Sequence, residues 1–149
     1  MSGEGAISWR RWAIGLAIAV GLIAAVAAWA VWTKPVRQSV TAFTELLGAA
    51  NRQDIDAARR LCSDRYLNTH DLQPAAEGGI VGLPRNIHKN FQAWSHDGDV
   101  WLCPTNREGP VYQFVFEQGT WKFDGPIGLL KWGHVQRFTD RPAEVDAVD

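Results

Sequence analysis

The chain has 149 residues, of which 46% are hydrophobic, and its 15 Lys and Arg residues against 16 Asp and Glu residues give a formal net charge of -1. A chain of this length forms one soluble domain rather than two. So balanced a charge produces no strong positive field, and we therefore expect no nucleic-acid partner.

The first predicted element is an apolar run from Trp12 to Trp32 that contains no charged residue. As a helix this run would be about 30 Å long, which matches the hydrocarbon thickness of a bilayer. Tryptophan residues flank both of its ends, as in the aromatic belts of membrane-spanning helices: Trp9, Trp12, Trp29 and Trp32. We therefore predict an N-terminal tag over residues 1–11 and a transmembrane helix over residues 12–32.

A cleaved signal peptide is the alternative, because Ala25-Val26-Ala27 is a small-x-small site that a signal peptidase would accept. The run is longer than the apolar core of a signal peptide, which is about 7 to 15 residues, so a permanent anchor is favoured. Arg10 and Arg11 precede it, while Lys34 and Arg37 follow it, and this distribution discriminates weakly between orientations. Since a first apolar segment usually acts as a signal anchor, we predict a single-pass cell-membrane protein with residues 33–149 outside the cytoplasm.

Small residues recur at three- and four-residue spacing along one face of the run: Ala17, Gly21, Ala24 and Ala28. A face of small side chains lets another helix approach closely. We expect this face to contact a transmembrane helix of a partner or of a second copy of the chain. The alternative is that alanine serves here only as a good helix former.

A pair of helices is predicted after the span. Pro35 is suited to the first turn of a helix, and apolar residues recur at helical spacing from Val36 to Ala50. Asp54 is a good N-cap for a further short helix that ends near Cys62. The two form a helix hairpin, and its arginines are interpreted as a solvated rim, with an anion or lipid-headgroup patch as the alternative: Arg52, Arg59, Arg60 and Arg65.

Four β-rich runs follow, over residues 87–94, 99–103, 111–117 and 120–124, with turn signals such as Asp97-Gly98 between them. They predict an antiparallel meander whose aromatic face is covered by the helix hairpin. The fold class is therefore α+β, with the hairpin packed on a curled, cone-like sheet. Seven aromatic residues are the predicted lining of a pocket or partner surface: Trp94, Trp101, Tyr112, Phe114, Phe116, Trp121 and Phe123.

Other segments have weaker patterns. Residues 68–85 are rich in glycine and proline, which predicts a long loop and the wall of any pocket. Residues 127–132 are expected to form a turn of helix or a last short strand. Residues 133–149 are predicted to be a charged, disordered tail, so the extracytoplasmic domain is placed at 33–132.

The second predicted helix has the form Asp-x-x-Ala-x-x-x-Leu-Cys-Ser-x-x-Tyr-Leu over Asp54 to Leu67, and the last strand contains Trp121-Lys122-Phe123-Asp124. This pattern resembles the cone-shaped superfamily of nuclear transport factor 2 and the polyketide cyclases. The resemblance covers residues 36–124 and implies a sheet curled around a helix, with a pocket at the open end. Members include enzymes and dimerising or binding modules. The Asp–His or Tyr–Asp pair of the enzymes does not map onto this sequence.

Cys62 and Cys103 are the only cysteines. In an oxidising compartment a disulfide between them would close a loop and stabilise the fold by about 2 to 4 kcal/mol. The alternative is two buried thiols that behave as small hydrophobic groups.

Four histidines are present, and none has the spacing of a zinc site, so we expect neither a metal nor another cofactor. His70 lies beside Asp71, and His88 lies in the first predicted strand. These two are the candidates for a catalytic base. Solvent exposure for His70 and a structural hydrogen bond for His88 are the simpler interpretations.

These patterns together predict a membrane-anchored, non-catalytic binding or assembly module. One alternative is a small enzyme of the cyclase or isomerase type, with His88 or His70 as the base. Another is an accessory subunit of a larger membrane complex that uses the span as its contact.

Overall fold

The computed structural model describes residues 4–85, 91–105 and 108–138. The protein is of mixed α+β class, with a long apolar helix at its N-terminus and a curled antiparallel sheet of five strands. Two compact units make up the chain, Met1–Lys34 and Pro35–Asp149.

Helix α1 extends from Glu4 to Asn51. In the first unit its described side chains are largely exposed, including Trp12 at 81% and Ile23 at 69%. Over these residues α1 is long and apolar enough to cross a membrane, as the sequence predicts. The first unit therefore contains a candidate membrane-spanning helix.

Pro35 lies inside α1, so the prediction that a separate helix begins there is wrong. Proline has a φ angle compatible with a helix and removes one backbone donor, so a helix can continue through it at a cost of about 3 kcal/mol. The hydroxyl of Ser39 donates a hydrogen bond of 2.9 Å to the carbonyl of Pro35.

Two short helices follow in the second unit, α2 over Ile55–Leu61 and α3 over Asp64–Thr69. The Asp54 side chain accepts a hydrogen bond of 3.0 Å from the amide of Ala57, which confirms the predicted N-cap. Cys62 is extended and interrupts the predicted second helix. Ser63 then caps α3, because its hydroxyl accepts a hydrogen bond of 3.0 Å from the amide of Tyr66.

The sheet is an antiparallel meander in the order β1-β2-β3-β4-β5. Its strands are β1 (Phe91–His96), β2 (Asp99–Pro104), β3 (Gly109–Glu117), β4 (Thr120–Lys131) and β5 (His134–Arg137). The predicted strands overlap the first four, although the start of the first, at residues 87–90, lies outside the described residues. The predicted segment 127–132 is mostly the second half of β4, which is therefore much longer than expected.

Strand β5 corrects the predicted boundary between the domain and its tail, since it lies beyond residue 132. It pairs with β4, with Leu130 opposite Val135. Polar residues surround the single apolar Val135 in this strand, so the alternation that marks a strand is too short to recognise from sequence. The rest of the predicted tail, from residue 139, lies outside the described residues.

The sheet is covered differently on its two sides. The interior face packs against the helices, and its buried residues contact Phe43 of α1. This face is formed by Val100, Leu102, Phe114 and Phe123. The groove face, formed by Trp101, Cys103, Val111 and Leu130, is a smaller apolar cluster. Because neighbouring residues of a strand point to opposite sides, Trp101 and Leu102 belong to different faces.

Candidate binding groove

A groove of about 440 Å³ lies on the groove face of the second unit. We call it the Trp101 groove. Residues from α3 and from all of the strands contribute to it, among them Arg65, His96, Asp97, Asp99, Trp101, Gln113, Ile127 and Arg137. Aromatic, cationic and carboxylate side chains thus converge at one site, and such convergent polar groups are what orients a ligand in a pocket.

The strand register places these residues. His96 pairs with Asp99 across the turn between β1 and β2. Trp101 pairs with Gln113 of β3. Arg137 of β5 lies opposite Gly128, where an added Cβ would overlap the carbonyl oxygen of Gln136. A glycine at position 128 therefore lets β5 approach closely enough for Arg137 to reach the groove.

Trp101 is the centre of the groove. Its side chain is only 8% exposed, and its Nε1 donor is buried without a hydrogen-bond partner among the described residues. The ring of His96 lies 4.1 Å from the indole between centroids, and Cζ of Arg137 lies 4.9 Å from the indole centroid. An unpaired buried donor costs about 1 to 3 kcal/mol. The indole of Trp101 therefore has an unsatisfied donor and packs against the half-buried His96 and the exposed Arg137.

Charges in the groove are unequally paired. Asp124, whose side chain is 2% exposed, accepts hydrogen bonds from Arg65 and from the hydroxyl of Ser63. The Gln113 amide donates to Asp99. Arg137 contacts Trp101 and His96 and has no carboxylate partner among the described residues. Arg137 is thus the cation available to a ligand or partner.

His96 can satisfy only one of two neighbours at a time. Its Nε2 lies 3.4 Å from a guanidinium nitrogen of Arg137 and 3.4 Å from Oδ2 of Asp97. A neutral ring with the proton on Nδ1 can accept from Arg137, whereas a protonated Nε2 donates to Asp97. A ligand that engages Arg137 would therefore change which of these contacts His96 makes.

The seven predicted aromatic residues are divided between the two faces. Trp94 and Trp101 belong to the cluster of the groove face, while Tyr112, Phe114 and Phe123 pack with the interior cluster. Trp121 is buried at the edge of the interior cluster, with its ring centroid 5.4 Å from that of Phe116. Phe116 itself is 56% exposed. The predicted surface is therefore not one continuous lining.

Both cysteines are free, buried thiols. Cys62 belongs to the interior cluster and Cys103 to the cluster of the groove face, so the sheet separates them. This is the arrangement of two buried thiols rather than that of a disulfide. Burial raises the pKa of each thiol from 9.0 to about 12, and at Cys62 nearby Lys122 opposes the rise.

The other predicted site residues lie apart from the groove. His70 is exposed and stacks on Tyr66 with a centroid distance of 4.3 Å, and its Nδ1 lies 2.8 Å from the hydroxyl of Thr69. His88 lies outside the described residues. The small-residue face of α1 is exposed: Ala17, Gly21, Ala24 and Ala28. No cluster of three or more residues suited to hold a metal ion occurs among the described residues.

Fold and groove together define an α+β protein with a candidate membrane-spanning helix and a polar–aromatic groove on a curled antiparallel sheet. Comparison with known proteins gives no match to a protein-family model, to a curated protein or to a solved structure.

Proposed function

We propose that this is a single-pass protein of the cell membrane whose C-terminal domain, outside the cytoplasm, is a non-catalytic binding or assembly module. The observation that carries the proposal is the exposure of the apolar part of α1. Its large side chains include Leu16 at 68% and Val26 at 64% exposure. Full burial of one such side chain is worth about 1.5 to 3 kcal/mol, so a helix of this kind is stable only when something apolar covers it. A bilayer supplies that cover along the whole length of the helix.

The Trp101 groove supports the binding role. Trp101 Nε1 needs an acceptor, and Arg137 presents a cation that no described carboxylate neutralises. The half-buried His96 and the exposed Arg137 pack against the indole, so a ligand that displaces them gains access to its ring. A ligand or partner segment that brings a hydrogen-bond acceptor would then satisfy both groups.

A catalytic role for His70 has less support. A general base must lie within hydrogen-bond reach of a substrate in a site that excludes water. His70 is exposed, and its ring is stacked on Tyr66 and contacts Thr69.

Three finer features belong to the same proposal. The pattern from Asp54 to Leu67 supports a relationship to the nuclear transport factor 2 superfamily, with a helix hairpin packed on a cone-like sheet. The small-residue face at Gly21 supports contact with a partner's helix or with a second copy of the chain. The charges around the span discriminate only weakly between orientations, so the N-terminus is proposed to lie inside the cell because an apolar segment such as Trp12 to Trp32 usually acts as a signal anchor.

Thiol labelling in intact cells tests the anchor and its orientation. The native thiols are buried, so they are a suitable unlabelled background. Ser95→Cys places a thiol on an exposed position of β1, and Trp9→Cys places one before the span. We expect a membrane-impermeant maleimide to label Ser95→Cys in intact cells and Trp9→Cys only after lysis, with the protein resisting extraction by alkaline carbonate.

The reverse labelling pattern would place the domain in the cytoplasm and overturn the orientation. Extraction of the protein by carbonate, or its recovery without residues 1–32, would overturn the anchor. As a control for accessibility, both introduced thiols should label fully after lysis.

A further inference from the structure

Three hairpin turns of the sheet have the same backbone geometry but different side chains. In each, two residues join paired strand ends, and both have positive φ: 51° and 89° at Asp97-Gly98, 52° and 79° at Gln118-Gly119, and 54° and 77° at Trp132-Gly133. This is the type I′ turn, in which asparagine, aspartate or glycine is favoured at the first central position. Trp132 is a bulky residue in a conformation that such residues rarely adopt.

Trp132 gains almost no packing in return for this strain. Its side chain is 87% exposed, compared with 56% for Phe116 and 53% for Val81. A strained residue persists where the surroundings or a function require it. Because the described residues of the domain leave the indole of Trp132 uncovered, an external contact is a physical reason to have tryptophan there.

The surroundings of Trp132 match a lipid surface. Lys131 and His134 flank the turn, and the segment Lys131–Arg137 contains no carboxylate. The shallow groove beside the turn contains one acidic residue, Glu108. Tryptophan combines an apolar body with a polar N–H and is enriched where membrane meets water. Basic side chains near it are attracted to anionic headgroups.

We infer that the Trp132 turn, Lys131–His134, inserts into the headgroup region of the bilayer and docks the domain on the lipid surface. The inference rests on the proposed function, because the membrane anchor holds the domain close to the bilayer. Insertion of one indole would bind a free protein only weakly, but a tethered domain meets the surface at a high effective concentration.

The test uses the full chain, labelled with 5-fluorotryptophan and reconstituted in lipid nanodiscs that contain one third anionic lipid. The fluorine resonances of Trp132 and Trp12 are assigned by their loss in Trp132→Asn and Trp12→Phe. We expect a doxyl-labelled lipid to remove most of the intensity of both resonances. A water-soluble paramagnetic agent should leave the Trp132 resonance largely unaffected. With zwitterionic lipid alone, the loss at Trp132 should be smaller, because the basic residues then lack their anionic partners.

The outcomes separate this inference from the proposed function. If doxyl lipid broadens Trp12 but not Trp132, and the soluble agent broadens Trp132, the turn is solvated and the inference fails while the anchor stands. If doxyl lipid broadens neither resonance, the anchor fails as well. Protection of Trp132 from the soluble agent without broadening by lipid would indicate a protein contact, which also overturns lipid docking.

Matched turn variants exclude a mere folding effect. Trp132→Asn introduces a residue that the turn favours, and Gln118→Asn does the same at the turn between β3 and β4. Both should fold and be at least as stable to heat as the native chain. Lipid docking should be lost only in Trp132→Asn, read as increased proteolysis or hydrogen exchange of β5 in nanodiscs. An equal change in Gln118→Asn would overturn the assignment to Trp132.

Discussion

The two faces of the sheet solve different physical problems. On the interior face, Phe114 and Phe123 are fully buried, and their ring centroids lie 5.7 Å apart. The nearby Tyr66 hydroxyl, a polar atom of this cluster, donates a hydrogen bond of 2.7 Å to the carbonyl of Gly82. On the groove face, the Nε1 donor of Trp101 is buried and has no partner among the residues that the structure describes. Complete satisfaction is what stability requires, whereas an unsatisfied group at the surface of a groove is a place where a ligand can gain free energy.

The largest predicted change in the free energy of unfolding distinguishes a buried position of β3 from an exposed position of the same strand. Phe114→Ala should lower the free energy of unfolding by about 3 to 5 kcal/mol, because it removes a buried ring and leaves a cavity. Phe116→Ala, two residues further along β3 and 56% exposed, should change it by less than about 0.5 kcal/mol. Chemical denaturation of the full chain in a lipid nanodisc measures both. If the two variants lower the free energy of unfolding equally, the side chain of Phe116 is buried as fully as that of Phe114, which would contradict the structure.

The second largest loss of stability is expected at alkaline pH, because titratable groups of both faces are buried. Burial raises the pKa of Cys62 and Cys103 from 9.0 to about 12 and that of Tyr66 from 10.0 to about 12. The folded state therefore keeps these protons while the unfolded chain loses them. Their contribution to stability is complete below pH 9, and it is lost progressively as the pH rises from 9 to 12.

Thermal unfolding at pH 8 and pH 10 checks this effect, with thiol reactivity as a second measurement. The double variant Cys62→Ala, Cys103→Ala should lose less stability between the two pH values than the native chain. Rapid alkylation of the folded native chain at pH 8 would contradict the buried positions of the thiols.

The sequence predicted the elements that repeat a simple period and missed those that depend on distant partners. The apolar run and the N-cap at Asp54 are local signals, and both appear in the structure. The predicted aromatic face is not regular along β3, because the pairing with β4 shifts register between Gln113 and Phe114 and Phe116 is 56% exposed. Pro35 predicts a helix start because proline is usual there, but its fixed φ angle is also compatible with a helix interior, and one helix continues through it.

The groove was harder to predict than the fold. The Asp97-Gly98 turn is visible in the sequence and already implies that His96 and Asp99 are paired neighbours. Arg137 could not be assigned, because it depends on β5 and on the close approach that Gly128 permits. The seven aromatic residues are predicted to line one pocket or partner surface. Because neighbouring residues of a strand point to opposite sides, they are divided between the two faces of the sheet.

The smallest predicted changes in stability come from two variants that each remove one polar atom, one from each face. They are the most specific test of the difference between the faces. Tyr66→Phe deletes a hydroxyl that is hydrogen-bonded to Gly82, so it should lower the free energy of unfolding by about 0.5 to 1.5 kcal/mol. Trp101→Phe deletes a donor that has no partner among the described residues, so it should cost less than the loss of ring volume alone would predict, or even stabilise the ligand-free protein. Trp101→Tyr, which restores a polar atom at a different place, is the control for ring size. If Trp101→Phe instead destabilises the ligand-free protein more than Tyr66→Phe does, the indole N–H has a partner within the fold, and the groove face is as fully satisfied as the interior face.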